Sequence, residues 1–149
     1  MPQSTSRLGV LDQLTGYHLR RAFGAFGADF HIAMEGTGLR QVLFAILSIV
    51  SNSPGINQSR VGKLLGIKRA NMVSLINELI DLGLIFRMED PRDRRSMSLT
   101  VTAAGTALIR EGLKKIRAHE ERMLAGFTDD EKQILLDLLR RIEARAPAT

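Results

Sequence analysis

Apolar residues recur every three or four positions through almost the whole of this 149-residue chain, and that spacing breaks once. Up to Gly83, and again from Ala103, the pattern is helical. Between them, Leu84-Ile-Phe-Arg-Met88 and Ser96-Met-Ser-Leu-Thr-Val101 read as two short strands around the polar turn Glu89–Arg95, which contains Pro91. A chain with a single hairpin in a helical frame cannot build its core from a sheet. The expected class is mainly α with one small β-hairpin.

The helical part divides at its breakers. A first helix is expected from Leu11 to about Met34, where Met34-Glu-Gly-Thr-Gly38 interrupts it. A strongly apolar helix follows from Leu39 to Val50, and Ser51–Gly55 is a loop by composition. Asn57 is placed to cap a short helix through Leu65, with Val61, Leu64 and Leu65 facing inward. Gly66 then breaks the pattern before a helix from Lys68 to Leu82, whose inner face is Met72, Leu75, Ile76 and Leu79. Thr102 caps a long helix to about Phe127, with the seam Ile109, Leu113, Ile116, Met123 and Phe127 and with Glu120 in the one vacant place. Thr128-Asp-Asp-Glu131 is a capping box, and the last helix runs to about Arg145.

Composition narrows the class further. At 44% apolar and 25% charged, the chain matches an ordinary soluble globular protein. With no cysteine it can have no disulfide, thiol nucleophile, thiol redox switch or thiolate-bound zinc. The opening MPQSTSRLGVLDQ has no basic segment followed by an apolar one, and the longest apolar stretch, Val42–Val50, is too short to span a bilayer. A cytoplasmic protein without membrane contact is expected. The net charge of +5 is unevenly spread. Residues 58–75 carry Arg60, Lys63, Lys68 and Arg69 and no acid, and Arg92, Arg94 and Arg95 follow in the hairpin turn. A local basic patch suits a phosphate backbone, although a solvated helix face would look the same.

Order and spacing favour the first alternative. A short helix, a glycine turn, a second helix and a hairpin follow one another within about 45 residues. A helix-turn-helix sends the start of its second helix into the major groove. Here that start reads Lys68-Arg-Ala-Asn-Met-Val-Ser74. Arg69 can bond guanine through two donors, Asn71 can match adenine, Ser74 can reach a base or phosphate, and Ala70 permits close approach. Gln58, Ser59 and Arg60 flank them from the preceding helix. Arg92, Arg94 and Arg95 at the hairpin tip suit an adjacent minor groove, and Asp93 among them is placed to pair with an arginine. Double-stranded DNA is the expected partner.

Three blocks carry a resemblance: Leu65–Asn71, Leu79–Arg87 and Asp90–Gly105, the last ending in Leu99-x-x-Thr102-x-x-Gly105. They resemble the MarR family of winged-helix transcriptional regulators. The resemblance implies a winged helix-turn-helix lobe over residues 39–102. It implies dimerisation through the flanking helices, 1–38 and 103–149, within one domain spanning 1–149. It also implies that Asp93 orients Arg95 into the minor groove. Lys68 departs from the acidic or hydroxyl cap of many members. The apolar residues of the last helix lie on more than one stripe, which independently suggests a homodimer, unless the two terminal helices simply cover each other. A two-fold dimer would read a pseudo-palindrome.

The same resemblance implies a small-molecule effector bound between the dimer helices and the DNA-binding lobe, often an aromatic acid or its coenzyme A thioester. Tyr17, His18, Arg20 and Arg21 are the candidate polar wall, with Phe23 and Phe26 available to pack on a ring. Alternatively, the two arginines pair with acids across the dimer. His18, His31 and His119 show no ligand spacing, so neither a metal nor a cofactor is expected. No nucleophile–base cluster or phosphate-cradling loop suggests an enzyme. The expected function is a repressor released by its effector; the alternative is an architectural DNA-binding protein without one.

Overall fold

A computed structural model describes residues 7–146 as six α-helices and one small sheet. A 3-10 turn at Gly9–Gln13 precedes α1 (Thr15–Ala33), which is followed by α2 (Gln41–Asn52) and β1 (Ile56–Asn57). Then come α3 (Gln58–Leu65), α4 (Arg69–Asp81), β2 (Ile85–Asp90), β3 (Asp93–Val101), α5 (Ala103–Met123) and α6 (Asp129–Glu143). The sheet is antiparallel in the order β1-β3-β2. Among the described residues, no helix is long and apolar enough to cross a membrane.

Local chemistry explains most boundaries. Asn57 Oδ1 accepts the Arg60 N–H at 2.8 Å and starts α3. Gly66, at φ 64°, ends that helix in the left-handed region that a side chain would disfavour. Thr128 and Glu131 form the reciprocal capping box of α6. Leu14, extended at ψ 110°, separates the 3-10 turn from α1, so the single helix expected from Leu11 is two pieces. The two-residue β1 has no alternating run to reveal it. It exists because Ile56 and Asn57 pair with Leu99 and Ser98.

The core lies in the lobe formed by α2, α3, α4 and the sheet. Leu43, Ile46, Leu47, Val50, Val61, Ile76, Leu79 and Leu99 are fully buried, and Met72 and Ile85 nearly so. Each such side chain contributes about 1.5–3 kcal/mol. Leu64, expected inward, is exposed, while Val61 and Gly62 of α3 are buried and Leu65 packs against the core at its edge. On α5 the buried residues are Gly105, Gly112 and His119, while Leu113 is exposed, as is Phe127 beyond the end of the helix. Close approach at the glycines adds to the packing of Leu108, Ile109 and Ile116 against the core: a Cβ on Gly112 would sit 2.5 Å from Phe44 Cε2 of α2. Neither α1 nor α6 has a buried residue, and Ile134, Leu136, Leu138 and Ile142 of α6 stay exposed.

The Leu99-x-x-Thr102-x-x-Gly105 motif joins the lobe to α5. Leu99 is its core anchor. Thr102 Oγ1 accepts the Gly105 N–H at 3.0 Å and donates to the Gly83 carbonyl at 2.7 Å, so one hydroxyl caps α5 and ties it to the end of α4. The Thr102 N–H reaches the Leu84 carbonyl at 3.0 Å. A Cβ on Gly105 would collide with the Leu84 carbonyl oxygen and lie 2.6 Å from Val101 Cγ1. Gly105→Ala should therefore lower the urea unfolding free energy by about 3 kcal/mol, since the Leu84 backbone on one side and the Val101 side chain on the other resist the shift. A change near zero in a urea melt would show that the joint yields.

Candidate nucleic-acid interface and neighbouring cavity

Turn, cap and hairpin place most of the expected contact residues on one exposed surface. Lys68 is the N-cap of α4, extended at ψ 144°, and makes no side-chain cap bond. The first turn of α4 thus has no side-chain cap, although the Asn71 N–H bonds the Lys68 carbonyl at 3.0 Å. Lys68, Arg69, Ala70, Asn71 and Ser74 are all exposed, while Met72 between them is buried in the core. Ser74 Oγ donates to the Asn71 carbonyl at 3.0 Å, which commits its proton to the helix and leaves its lone pairs outward. Ser59 and Arg60 are exposed at the start of α3, and Gln58 is half-buried.

The hairpin extends further than its sequence suggests. Strand pairing reaches Asp90 opposite Asp93, with an irregularity between Glu89 and Asp90, so only Pro91 and Arg92 lie between the strands. Two aspartates hold this tip. Asp90 Oδ1 accepts the Arg92 N–H at 2.9 Å, and Asp93 Oδ1 accepts the Arg95 N–H at 3.0 Å. Both are bonds from a side chain to the backbone two residues on, a device that sets turn geometry. Asp93 therefore fixes the backbone from which Arg95 projects. Arg92, Arg94 and Arg95 are exposed.

A groove of about 390 Å³ joins helix and hairpin. Gln58, Ser59, Arg69, Asp93 and Arg95 line it, so the start of α4 and the hairpin tip share one concave surface. Behind α4, an Arg40–Glu78 ion pair at 2.5 Å ties the start of α2 to α4, and the Arg87 guanidinium of β2 donates to Asn77 Oδ1 of α4. The orientation of α4 is thus held from two directions.

A second concavity, of about 290 Å³, lies among α1, α2 and α5. Phe23, Phe26, Phe30, Phe44 and Ile116 give it an apolar wall, and Gln41, His119 and Glu120 supply its polar groups. His119 is 3% exposed. Its ring meets Phe26 and Phe30 edge-on, with centroids 5.4 and 5.7 Å away. His119 Nδ1 lies 2.5 Å from Asp29 Oδ2 of α1, which Arg122 also reaches at 2.9 Å. The His119 hydrogen bond holds the Asp29 carboxyl below the ordinary carboxylate range, with help from the Arg122 guanidinium and partial opposition from burial. Tyr17, His18, Arg20 and Arg21 do not line this cavity. They lie on the first turns of α1, where Tyr17 is half-buried and the other three are exposed. There His18 Nε2 bonds the Asp12 carbonyl at 3.0 Å, and the Arg21 guanidinium lies 5.8 Å from the centre of the Tyr17 ring.

Residues 38–96 match the model of the MarR family. A curated relative, a putative transcriptional regulatory protein for the hcr operon of Thauera aromatica, is 30% identical over 128 residues, covering 85% of this chain and 77% of its own. The chain belongs to the MarR family. Among solved structures, the transcriptional repressor CouR bound to a 23-mer DNA duplex is 33% identical with a TM-score of 0.89, covering 94% of this chain and 99% of that one. CouR bound to p-coumaroyl-CoA is 30% identical with a TM-score of 0.83, covering 95% and 99%. The PcaV regulator of Streptomyces coelicolor with its natural ligand is 26% identical with a TM-score of 0.84, covering 91% and 96%. This chain is thus a DNA-binding transcriptional regulator of MarR type, with the expected mainly helical, winged fold.

Sequence reasoning about this MarR regulator missed the Asp29–His119 pair. His119 lies outside the expected seam, and its partner is 90 residues away. The signal present was the seven-residue spacing of Gly105, Gly112 and His119, small or polar residues where a helix should turn inward. The folded-state pKa of Asp29 is depressed, so the unfolded chain binds the extra proton. The resulting stabilisation is complete above the unfolded value of about 3.9 and is lost as pH falls through the folded one. The gap in urea midpoint between wild type and Asp29→Asn should be present near neutrality and close below about pH 4. A gap independent of pH would assign the stabilisation to something other than this carboxylate.

Proposed function

We propose that this regulator is a repressor that binds a pseudo-palindromic operator as a homodimer and is released when a small aromatic effector fills the cavity among α1, α2 and α5. The observation that carries the DNA-binding geometry is the single groove shared by Arg69 and Arg95. In this reading the start of α4 enters the major groove: Arg69 and Asn71 read base edges, Ala70 permits close approach, and Lys68, Ser74, Gln58, Ser59 and Arg60 hold phosphates. With the Asn71 N–H bonded to the Lys68 carbonyl, the first turn of α4 offers the Arg69 and Ala70 N–H groups to a phosphate as well. Asp90 and Asp93 shape the wing so that Arg92, Arg94 and Arg95 reach the minor groove and its flanking phosphates. CouR, solved both as a transcriptional repressor bound to a DNA duplex and bound to p-coumaroyl-CoA, supports both halves of the proposal.

The dimer rests on uncovered surface. Ile134, Leu136, Leu138 and Ile142 on α6, and Val10, Leu11 and Leu14 before α1, are exposed. Exposed apolar residues concentrated on the terminal helices suit an interface with a second copy. Leu138→Glu should convert the dimer to monomer in sedimentation velocity at micromolar protein while leaving the helical circular dichroism intact. An unchanged sedimentation coefficient would place the interface elsewhere.

The DNA contacts are tested on a duplex recovered by in vitro selection. Wild type should prefer it over random duplex by about 10³-fold or more, and equal affinity for the two would favour an architectural protein instead. Asn71→Ala should cost about 1–3 kcal/mol and relax preference at one base per half-site. Arg95→Ala should weaken all sequences alike and make the salt dependence shallower. A uniform loss in Asn71→Ala would make Asn71 a backbone contact.

A further inference from the structure

The polar groups of the α1–α2–α5 cavity are unusual for a site expected to take an aromatic acid. Among the described residues, no lysine or arginine lines it, and Gln41, His119 and Glu120 are the only lining side chains that hydrogen-bond strongly. The state of the His119 ring follows from its neighbours. The Asp29 carboxyl is held below the ordinary range and is ionised near neutrality, so it can only accept. The proton in the 2.5 Å contact therefore belongs to His119 Nδ1, and in the neutral ring Nε2 carries a lone pair.

That lone pair faces the cavity. Among the described residues, no side-chain nitrogen or oxygen is both sealed from solvent and without a partner. The one hydrogen bond His119 makes among them uses Nδ1. The ring is buried yet forms part of the cavity wall, so its unpartnered Nε2 opens there. The Glu120 carboxylate adds a second acceptor on the same wall. Two acceptors and no cation repel a carboxylate and attract a hydroxyl hydrogen. Phe26 and Phe30 hold the imidazole edge-on, and Arg122 holds Asp29 from the other side, which fixes the direction of the lone pair.

We infer that His119 is a specificity-determining residue that accepts the hydroxyl hydrogen of a phenolic ring, so that the effector enters hydroxyl end first and keeps any carboxylate or thioester outside. Asp29 is the positioning residue that selects the accepting tautomer. The inference rests on the reading of this cavity as the effector site. It also gives the first turns of α1 a place in recognition. Arg20 precedes Phe23 by three residues and so lies one turn further along the same side of the helix, where an outward-pointing anionic end would arrive.

Three probes that share one ring system test this: 2-naphthol, 2-naphthoate and naphthalene, titrated calorimetrically into the full-length protein at about pH 8. Wild type should bind 2-naphthol at least about ten-fold more tightly than either of the others, as expected when a buried acceptor is matched in one case and left unmatched in the others. Asn in place of Asp29 can donate to Nδ1 and so turn Nε2 into a donor. Asp29→Asn should therefore lose the preference for 2-naphthol, with the His119 ring nitrogens exchanging their chemical shifts in 15N spectra. A merely structural loss would weaken all three probes together and leave the tautomer unchanged. Equal affinities, or tighter 2-naphthoate binding by wild type, would overturn the hydroxyl reading while keeping the cavity as a ligand site. Failure of all three to bind would overturn the cavity assignment and this inference with it.

Discussion

The joint at Gly105 sets the geometry on which the rest of the molecule depends. The Leu84 carbonyl approaches α5 so closely that no side chain fits between them, and the Thr102 hydroxyl closes the same joint from the Gly83 side. Because α5 leaves the hairpin at this fixed point, the lobe carrying α4 and the wing moves with the root of α5. Farther along the same helix, Gly112 admits Phe44 and His119 meets Asp29. One helix thus touches the lobe at its start and frames the cavity at its middle.

The helix α2 is shared more intimately still. Leu43, Ile46 and Leu47 belong to the core of the lobe, while Gln41, Phe44 and Ala45 face the cavity. Arg40, at its N-cap, pairs with Glu78 on α4. A packed helix with opposite faces in two sites cannot adjust one without loading the other. The proposed effector would act through that property: filling the cavity presses on Phe44 and α2, and the Arg40–Glu78 pair carries the displacement to α4. Such coupling requires that the two arrangements differ in affinity for the effector.

Much of this was legible in the residues, and what was not has a physical explanation. The glycine turn at Gly66, the caps at Asn57, Thr102 and Thr128, and the inner face of α4 follow from short-range rules, and the structure has them. Asp93 was expected to pair with a neighbouring arginine and, by the resemblance, to orient Arg95; its bond goes to the Arg95 backbone N–H. The same residues and spacing allow either, and only the turn geometry decides. The seam of α5 was right at Ile109 and Ile116, which pack against the core, and missed at Leu113 and Phe127, because periodicity weights large apolar residues whereas this helix makes its closest approaches at glycines. The candidate polar wall Tyr17, His18, Arg20 and Arg21 was read from clustering on one helix, which says nothing about where the cavity lies along it. The His119–Asp29 pair joins α5 to α1 across 90 residues, a separation that no local pattern reports.

The absence of cysteine allows the central claim to be tested directly. A single Asp81→Cys substitution puts one spin label on the exposed end of α4, away from the groove. Double electron–electron resonance then measures the distance between the two copies of that helix. The account calls for a defined inter-label distance in the free protein that sharpens to one value on a duplex recovered by selection, as two helices settle into half-sites about one turn, roughly 34–36 Å, apart. No dipolar coupling, or a distribution indifferent to that duplex, would contradict a dimer that reads DNA with paired α4 helices.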